Sequence, residues 1–321
     1  MAMIAAFGIG GTNFHYAAGT PDGELLTEIK TEKTRSRELA KQMCTAIDDL
    51  NATTSDHVTG VAAACKGLVD STNGVVELLA INGGDTIRDL SLREAVRAEF
   101  GIPLYLENDC TAAALAEYHL GDVEADSLVH VTFGTGIGAG AIDRGRILRG
   151  EHNFAGEVGG IPVGPEDGLQ WCEIPGAWEA YCSGPGILHF TQEQLQAEER
   201  STRLLDEGIG QLSTPDIFEY AKSGDEVALD YLDTIARYNA KALGTISNLF
   251  NPGLISLGGG VTKHNEELVI DGIQRHIDDY LVVDKPTIAA TKLENIGIKG
   301  ALAQAQHHDL LESPTGVSQI Q

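Results

Sequence analysis

The chain has 321 residues, with 47 acidic against 22 basic side chains and a formal net charge of −25. That length allows roughly two domains of about 100–200 residues each, and a hydrophobic content of 42% can fill their cores. The charge repels polyanions and excludes nucleic acid as an expected partner, and no run of about 18 apolar residues is present to cross a membrane.

The opening MAMIAAFGIGG lacks a basic segment and a long apolar core, so it does not read as a signal peptide. The cysteines, at 44, 65, 110, 172 and 182, are odd in number and scattered, which fits a reducing cytoplasm. The acidity has two readings. One is an ordinary acidic surface. The other is adaptation to a salt-rich cytoplasm, where screening lengths shrink to about 3 Å at 1 M salt; acids spread without long runs favour it.

In chain order, MIAAFGIG predicts a strand, and NFHYAAGTPDGELLTEIKT predicts a hairpin around a Pro-Asp-Gly turn. SRELAKQMCTAIDDLNA places Leu39, Met43, Ala46, Ile47 and Leu50 at helical spacing. VTGVAAACKGLVD reads as a buried strand running into a loop. SLREAVRAEFG is a helix starting from Ser91, IPLYLEND a strand, and TAAALAEYHLG a helix. SLVHVTFGTGIGAGAIDRGRILRG reads as strand, glycine-rich turn and strand. Residues 150–215 are irregular and rich in Gly and Pro, then polar and helical. A long amphipathic helix follows, stopped by Asn-Pro-Gly, with a strand ending on three glycines; LENIGIKGALAQAQHH closes as a helix, and LESPTGVSQIQ reads as a frayed tail. Alternating strands and helices imply a mostly parallel α/β sheet.

Strand–glycine turns fall at 8–12, 134–140 and 258–260, which points to a ligand where strand ends converge. The first, AFGIGGTNF, is neither a Walker loop nor a dinucleotide fingerprint: no Gly-Lys-Ser/Thr follows, and Asn13 stands where the third glycine would be. Two Gly-Thr turns can grip a polyphosphate through backbone N–H groups and hydroxyls. A strand ending in Glu107-Asn108-Asp109 lies between them in sequence, and its carboxylate can accept the proton of an attacking hydroxyl. Those parts suffice for phosphoryl transfer, which is mostly positioning and charge stabilisation.

The same segments resemble the ROK family of sugar kinases and repressors, relatives of hexokinases in the actin-like ATPase superfamily. The likeness covers nearly the whole chain: FGIGGTNFHYA, VAAACKGLVDSTNGVV, IPLYLENDCTAAALAEY, VTFGTGIGAGAIDRGRILRGEHNFAGEVGGIPV, GAWEAYCSGPGI and NLFNPGLISLGGGV occur in the family's order. It implies an α/β fold of two actin-like ATPase (ribonuclease H-like) domains with an interdomain cleft. The small domain would be 1–118, rejoined by the helix 298–312, and the large domain 119–297. It implies a glucokinase-like enzyme using ATP and Mg²⁺ on a sugar hydroxyl, cytoplasmic and homodimeric. Asp109 would be the general base. Asn108, Glu157 and Glu179 would bond the sugar hydroxyls, with Asn82, Lys66 and Gly67 also on the sugar side. Gly10, Gly11, Thr12, Asn13, Gly134, Thr135 and Gly136 would line the phosphates, and Gly258, Gly259 and Gly260 would pass the adenosine. Plainer readings stand beside these: a helix cap for Asn108-Asp109, a turn carboxylate for Glu157, and solvated side chains for Glu179 and Lys66.

The chain departs from the family pattern in four places. Gly8 stands where the first turn usually carries Asp. Gly160 stands where Glu-x-Gly-His has its His. Of the cysteine run that usually completes a zinc site only Cys172 remains, so no zinc and no protein-ligated metal is expected. Lys66-Gly67 replaces Pro-Gly. Gly8 and Gly160 keep open an alternative, a catalytically weak or inactive ROK-type sugar or nucleotide sensor.

Overall fold

The computed structural model describes residues 2–81, 84–122, 124–206 and 208–312, with side chains to residue 308. It divides into two compact units. The first comprises Met1–Asp126, Gly140–Gly156 and Lys292–Gln321; the second comprises Ser127–Ala139 and Glu157–Thr291. The first unit thus ends at Asp126 where the expected boundary was 118, and it also takes Gly140–Gly156.

The first unit begins with β1 (Ile4–Ile9), β2 (Asn13–Gly19), β3 (Lys30–Lys33), α1 (Leu39–Thr53) and β4 (Gly60–Cys65). It continues with β5 (Leu68–Asp70), β6 (Val75–Ala80), β7 (Thr86–Ser91), α2 (Leu92–Phe100), β8 (Leu104–Asn108) and α3 (Asp109–Leu120). The main sheet has the order β3-β2-β1-β4-β8, with β1, β4 and β8 mutually parallel and β2 and β3 antiparallel. β5, β6 and β7 form a second, antiparallel sheet that the sequence pattern did not separate from loop. Two strand faces make two cores, because successive side chains alternate. Phe7, Phe14, Val61 and Leu106 pack with Met43, Ile47 and Leu50 of α1 on one face. On the other, Ala6, Ala17, Ala62 and Ala64 meet Ile298, Ala301 and Leu302 of the C-terminal helix, Ile296–Glu312. The small residues allow close approach. At Gly300 a Cβ would lie 2.5 Å from the Ala112 carbonyl, so glycine lets the C-terminal helix sit directly on α3. α3 is buried on most of its surface through Ala112, Ala113, Ala114 and Ala116, which explains why its pattern shows no polar face.

The second unit holds β9 (Ser127–Phe133), and the chain passes into the first unit within β10 (Ile137–Asp143), followed by β11 (Arg146–Ile147). After the hairpin β12 (Gln170–Trp171) and β13 (Ile174–Pro175) come α4 (Trp178–Cys182), α5 (Gly184–Ala197), α6 (Thr214–Lys222) and α7 (Glu226–Phe250). β14 (Leu254–Gly258), α8 (Gly259–His264), α9 (Glu266–His276) and β15 (Thr287–Ala290) complete it. β14 runs parallel to both β9 and β15, in the sheet order β11-β10-β9-β14-β15. α7 starts on the Asp225 cap and stops at Asn251, which takes the left-handed conformation (φ 45°) before Pro252. Trp178, fully buried, donates its indole N–H to Asn239 Oδ1 at 2.7 Å and so ties α4 to α7.

Candidate active site

The first glycine turn is held by backbone bonds. Gly10 N–H donates to the Asn13 carbonyl at 2.9 Å. Thr34 donates its hydroxyl to the Gly10 carbonyl at 2.7 Å and its N–H to the Thr12 carbonyl at 2.9 Å. Lys66 N–H donates to the Ile9 carbonyl at 2.8 Å, which joins this turn to the end of β4. Thr12 and Asn13 are exposed at its tip.

Beside it in the same sheet, β8 runs into α3. Asn108 is the helix cap: its Oδ1 accepts from Cys110 N–H at 2.9 Å and Thr111 N–H at 3.3 Å, an arrangement worth about 1 kcal/mol. Its Nδ2 donates to the Gly67 carbonyl at 3.0 Å. Gly67 has φ 97°, and a Cβ there would fall 2.1 Å from the Leu78 carbonyl, so only glycine fits this turn. Asp109 is the first helical residue, and its Oδ1 also accepts from Cys110 N–H, at 3.1 Å. Burial pushes the Asp109 carboxyl above its ordinary 3.8; the Lys66 charge and the Cys110 N–H pull part of that shift back. A carboxylate poised upward in pKa at a helix N-terminus is suited to take a proton.

Behind Asp109 sits a contact that the motif did not announce. Glu107, 3% exposed, accepts from Arg149 Nε at 3.0 Å and Nη2 at 2.8 Å on one oxygen, and from the Ser71 hydroxyl at 2.6 Å on the other. It joins β8 to the end of β5 and to the segment after β11. The 42-residue gap to Arg149 hid the pair; a buried acid in a strand otherwise apolar was the available signal.

In the second unit, Gly134, Thr135 and Gly136 form the turn between β9 and β10, closed by Gly134 N–H on the Gly136 carbonyl at 3.0 Å. Glu179, on α4, accepts the Ile137 N–H at 2.7 Å through Oε2. A Cβ at Gly136 would lie 2.8 Å from that oxygen, and one at Gly159 3.1 Å from it, so Glu179 is brought to both the 134–136 turn and the 157–160 turn. Glu157 is exposed at the head of the latter, a short 3₁₀ turn over Val158–Gly160. Gly258 ends β14, and Gly259 and Gly260 open α8, so the expected three-glycine strand end is a strand–helix junction. Asn82 lies outside the described residues.

The region where the family pattern places zinc does not fit a metal. Cys172 is exposed at the β12–β13 turn, where it and Glu173 take positive φ. A Cβ on Gly160 would lie 3.0 Å from Ile174 Cδ1 and 3.9 Å from the Trp171 ring, so this position faces an apolar contact in place of a ligand. Among the described residues no three His, Cys, Asp or Glu side chains gather to hold a metal ion.

Comparison with known proteins identifies the family of the chain. The ROK family profile matches residues 4–308. A glucokinase of Halalkalibacterium halodurans is 32% identical over 283 residues, covering 85% of this chain and 84% of the relative. The crystal structure of a ROK family glucokinase from Streptomyces griseus, in complex with glucose and AMPPNP, has a TM-score of 0.76 at 27% identity, covering 95% of this chain and 98% of that one. A ROK family transcriptional regulator, a homologue of the E. coli MLC protein, has a TM-score of 0.81 at 25% identity, covering 96% of this chain and 78% of the regulator. The fold is therefore of the actin-like ATPase class, and the chain belongs to the ROK family.

Proposed function

We propose that the chain is an ATP-dependent sugar kinase of the glucokinase type. A sugar hydroxyl attacks the γ-phosphorus, a new O–P bond forms as the bond to the β-phosphate oxygen breaks, and Asp109 takes the hydroxyl proton. ADP and a sugar phosphate leave. The observation that carries this reading is Asp109 itself: a carboxylate raised in pKa by burial, at the start of α3 with its Oδ1 accepting from the Cys110 N–H. Likeness to a glucokinase seen with glucose and AMPPNP supports the same donor and acceptor classes here.

Asn108, Glu157, Glu179, Lys66 and Gly67 are assigned to the sugar side, and the turns 10–13, 134–136 and 258–260 to the nucleotide. Mg²⁺ bound with ATP supplies charge neutralisation at the phosphates. With glycine at position 8, Mg²⁺ would be held mainly by the ATP phosphates and water. A homodimer in a salt-rich cytoplasm completes the reading.

The test is a coupled ADP-release assay in molar KCl against hexoses, N-acetylhexosamines and sugar acids. Sugar-dependent ADP release abolished by Asp109→Asn supports the kinase. The second reading, a sensor drifted from catalysis, is favoured by Gly8, Gly160 and the likeness to a regulator. It predicts sugar binding by calorimetry with no ADP release from any sugar.

A further inference from the structure

The first unit contains a cavity of about 710 Å³ whose lining includes neither the glycine turn nor Asp109. Its size is that of a small-molecule site. Arg93 and Arg97 reach it from α2, Ser71 from just beyond β5, Tyr105 from β8, Arg149 from after β11 and His308 from the C-terminal helix. Three of the chain's twelve arginines therefore meet in one cavity of a protein carrying a net charge of −25.

The charges are incompletely matched. Arg149 is engaged by Glu107 through Nε and Nη2. Arg93 donates to the main-chain carbonyls of Ser71 and Thr72, the former at 3.2 Å. The nearby Asp70 is held mainly by Asn73, with Arg93 a weaker influence on its lowered pKa. Arg97 makes no side-chain hydrogen bond or ion pair with the described residues. Arg93 and Arg97 stand four residues apart on one helix, a like-charge spacing that costs helix stability until an anion is shared between them. Guanidinium forks match phosphate oxygens two at a time. Beside them Tyr105 and His308, which also line the cavity, stack with centroids 4.6 Å apart and planes at 19°.

We propose that this cavity binds a phosphate-bearing metabolite, its phosphate held among Arg93, Arg97 and Arg149 and its remaining body against Tyr105. The ligand is separate from the nucleotide and sugar of the proposed reaction. Its binding is read directly and needs no turnover.

The test is calorimetric titration of the full chain, with ADP, Mg²⁺ and sugar saturating so that the reaction site is filled. The probes are inorganic pyrophosphate, ribose 5-phosphate and AMP. One site per chain with millimolar or tighter affinity is expected, weakened about ten-fold by Arg97→Gln and lost in Arg97→Glu, since one charge-assisted contact is removed or reversed. Thermal melts confirm that both variants fold. AMP binding tighter than ribose 5-phosphate would place a base against Tyr105; equal affinities would assign the site to the phosphate and sugar. No heat from any of the three probes, or equal affinity in the parent and Arg97→Glu, overturns the proposal.

Discussion

Glu179 Oε2 and the Ile137 N–H lie 2.7 Å apart, so a carboxylate on α4 fixes the backbone of the 134–136 turn. Ile137 is buried, and its N–H has no water to turn to if the acceptor goes. Glu179→Ala should therefore cost about 1–3 kcal/mol and raise the KM for ATP as the turn loosens. Glu179→Gln keeps an acceptor oxygen and should cost less than about 1 kcal/mol. If Glu179 also bonds the sugar, both variants raise the sugar KM. Thermal melts with KM values for the two substrates separate these effects; an unchanged sugar KM in Glu179→Gln removes the sugar assignment.

Asp109 ties catalysis to pH and to stability with opposite signs. Its folded pKa lies above 3.8 because burial disfavours the charge. The folded state therefore holds the proton more tightly than the unfolded chain. That stability is complete below the unfolded pKa and is lost as pH rises through the folded one. Asp109→Asn should lower turnover by about 10²-fold or more while raising the melting temperature at neutral pH. The acid limb of kcat/KM should lie above the usual carboxylate range, and Lys66→Gln, which removes the charge opposing the shift, should move it higher still. A pH–rate profile of the parent and Lys66→Gln checks both; an acid limb unmoved in Lys66→Gln denies that this lysine acts on Asp109.

Much of this was legible in the sequence, and the gaps have physical causes. α1 was readable because Leu39, Met43, Ile47 and Leu50 repeat at helical spacing and all are buried. Asn108-Asp109 was readable as a helix start because a cap is a local signal. β6 and β7 were missed: VVELLA has only a partial alternation, and its sheet pairs with a three-residue strand. The Glu107–Arg149 pair and the Glu179–Ile137 bond were also missed, since each joins residues 42 apart and one of them uses a backbone donor. The departures from the family pattern were visible, but only the structure shows Ile174 and Trp171 beside Gly160.

The pair behind the strand end gives a further prediction. Glu107→Gln leaves the half-buried Arg149 without its charge partner. A fully buried pair broken this way costs about 3–5 kcal/mol; Arg149 keeps 30% exposure, so about 2–3 kcal/mol is expected. The Ser71 contact survives through the amide oxygen. Denaturant unfolding measures the loss, and the double variant Glu107→Gln/Arg149→Met should recover part of it. No recovery would mean that Glu107 acts through Ser71 and the backbone alone.

A net charge of −25 should make stability rise with salt, as repulsion among surface carboxylates is screened. Local ion pairs such as Arg200–Asp230 and Arg275–Asp233 oppose the trend, but they are exposed and contribute little. Thermal melts at low and molar KCl should therefore show a rising midpoint. A flat or falling midpoint would separate the acidity from salt adaptation.

Gly8 carries the last prediction. It lies in β1 opposite His15 of β2 and Ala64 of β4, directly before the first glycine turn. A Cβ there would meet His15 Cβ at 3.7 Å and Ile298 Cδ1 at 3.8 Å, ordinary packing distances, and so Gly8→Asp should fold. The new carboxylate would stand at the strand end where the family pattern places one. Mg²⁺ often keeps several waters and needs only one or two protein carboxylates, so a single added Asp is enough to change how it is held. In an active kinase Gly8→Asp should lower the Mg²⁺ concentration giving half-maximal rate and raise kcat, with the sugar KM little changed, because the charge acts on the metal–phosphate unit. In a sensor it should tighten ATP binding only when Mg²⁺ is present. Steady-state kinetics over a Mg²⁺ series, with ATP calorimetry in the presence and absence of Mg²⁺, reads both. A folded Gly8→Asp protein with kcat, Mg²⁺ dependence and ATP affinity all unchanged would show that AFGIGGTNF does not hold phosphates, and the kinase reading would fall with it.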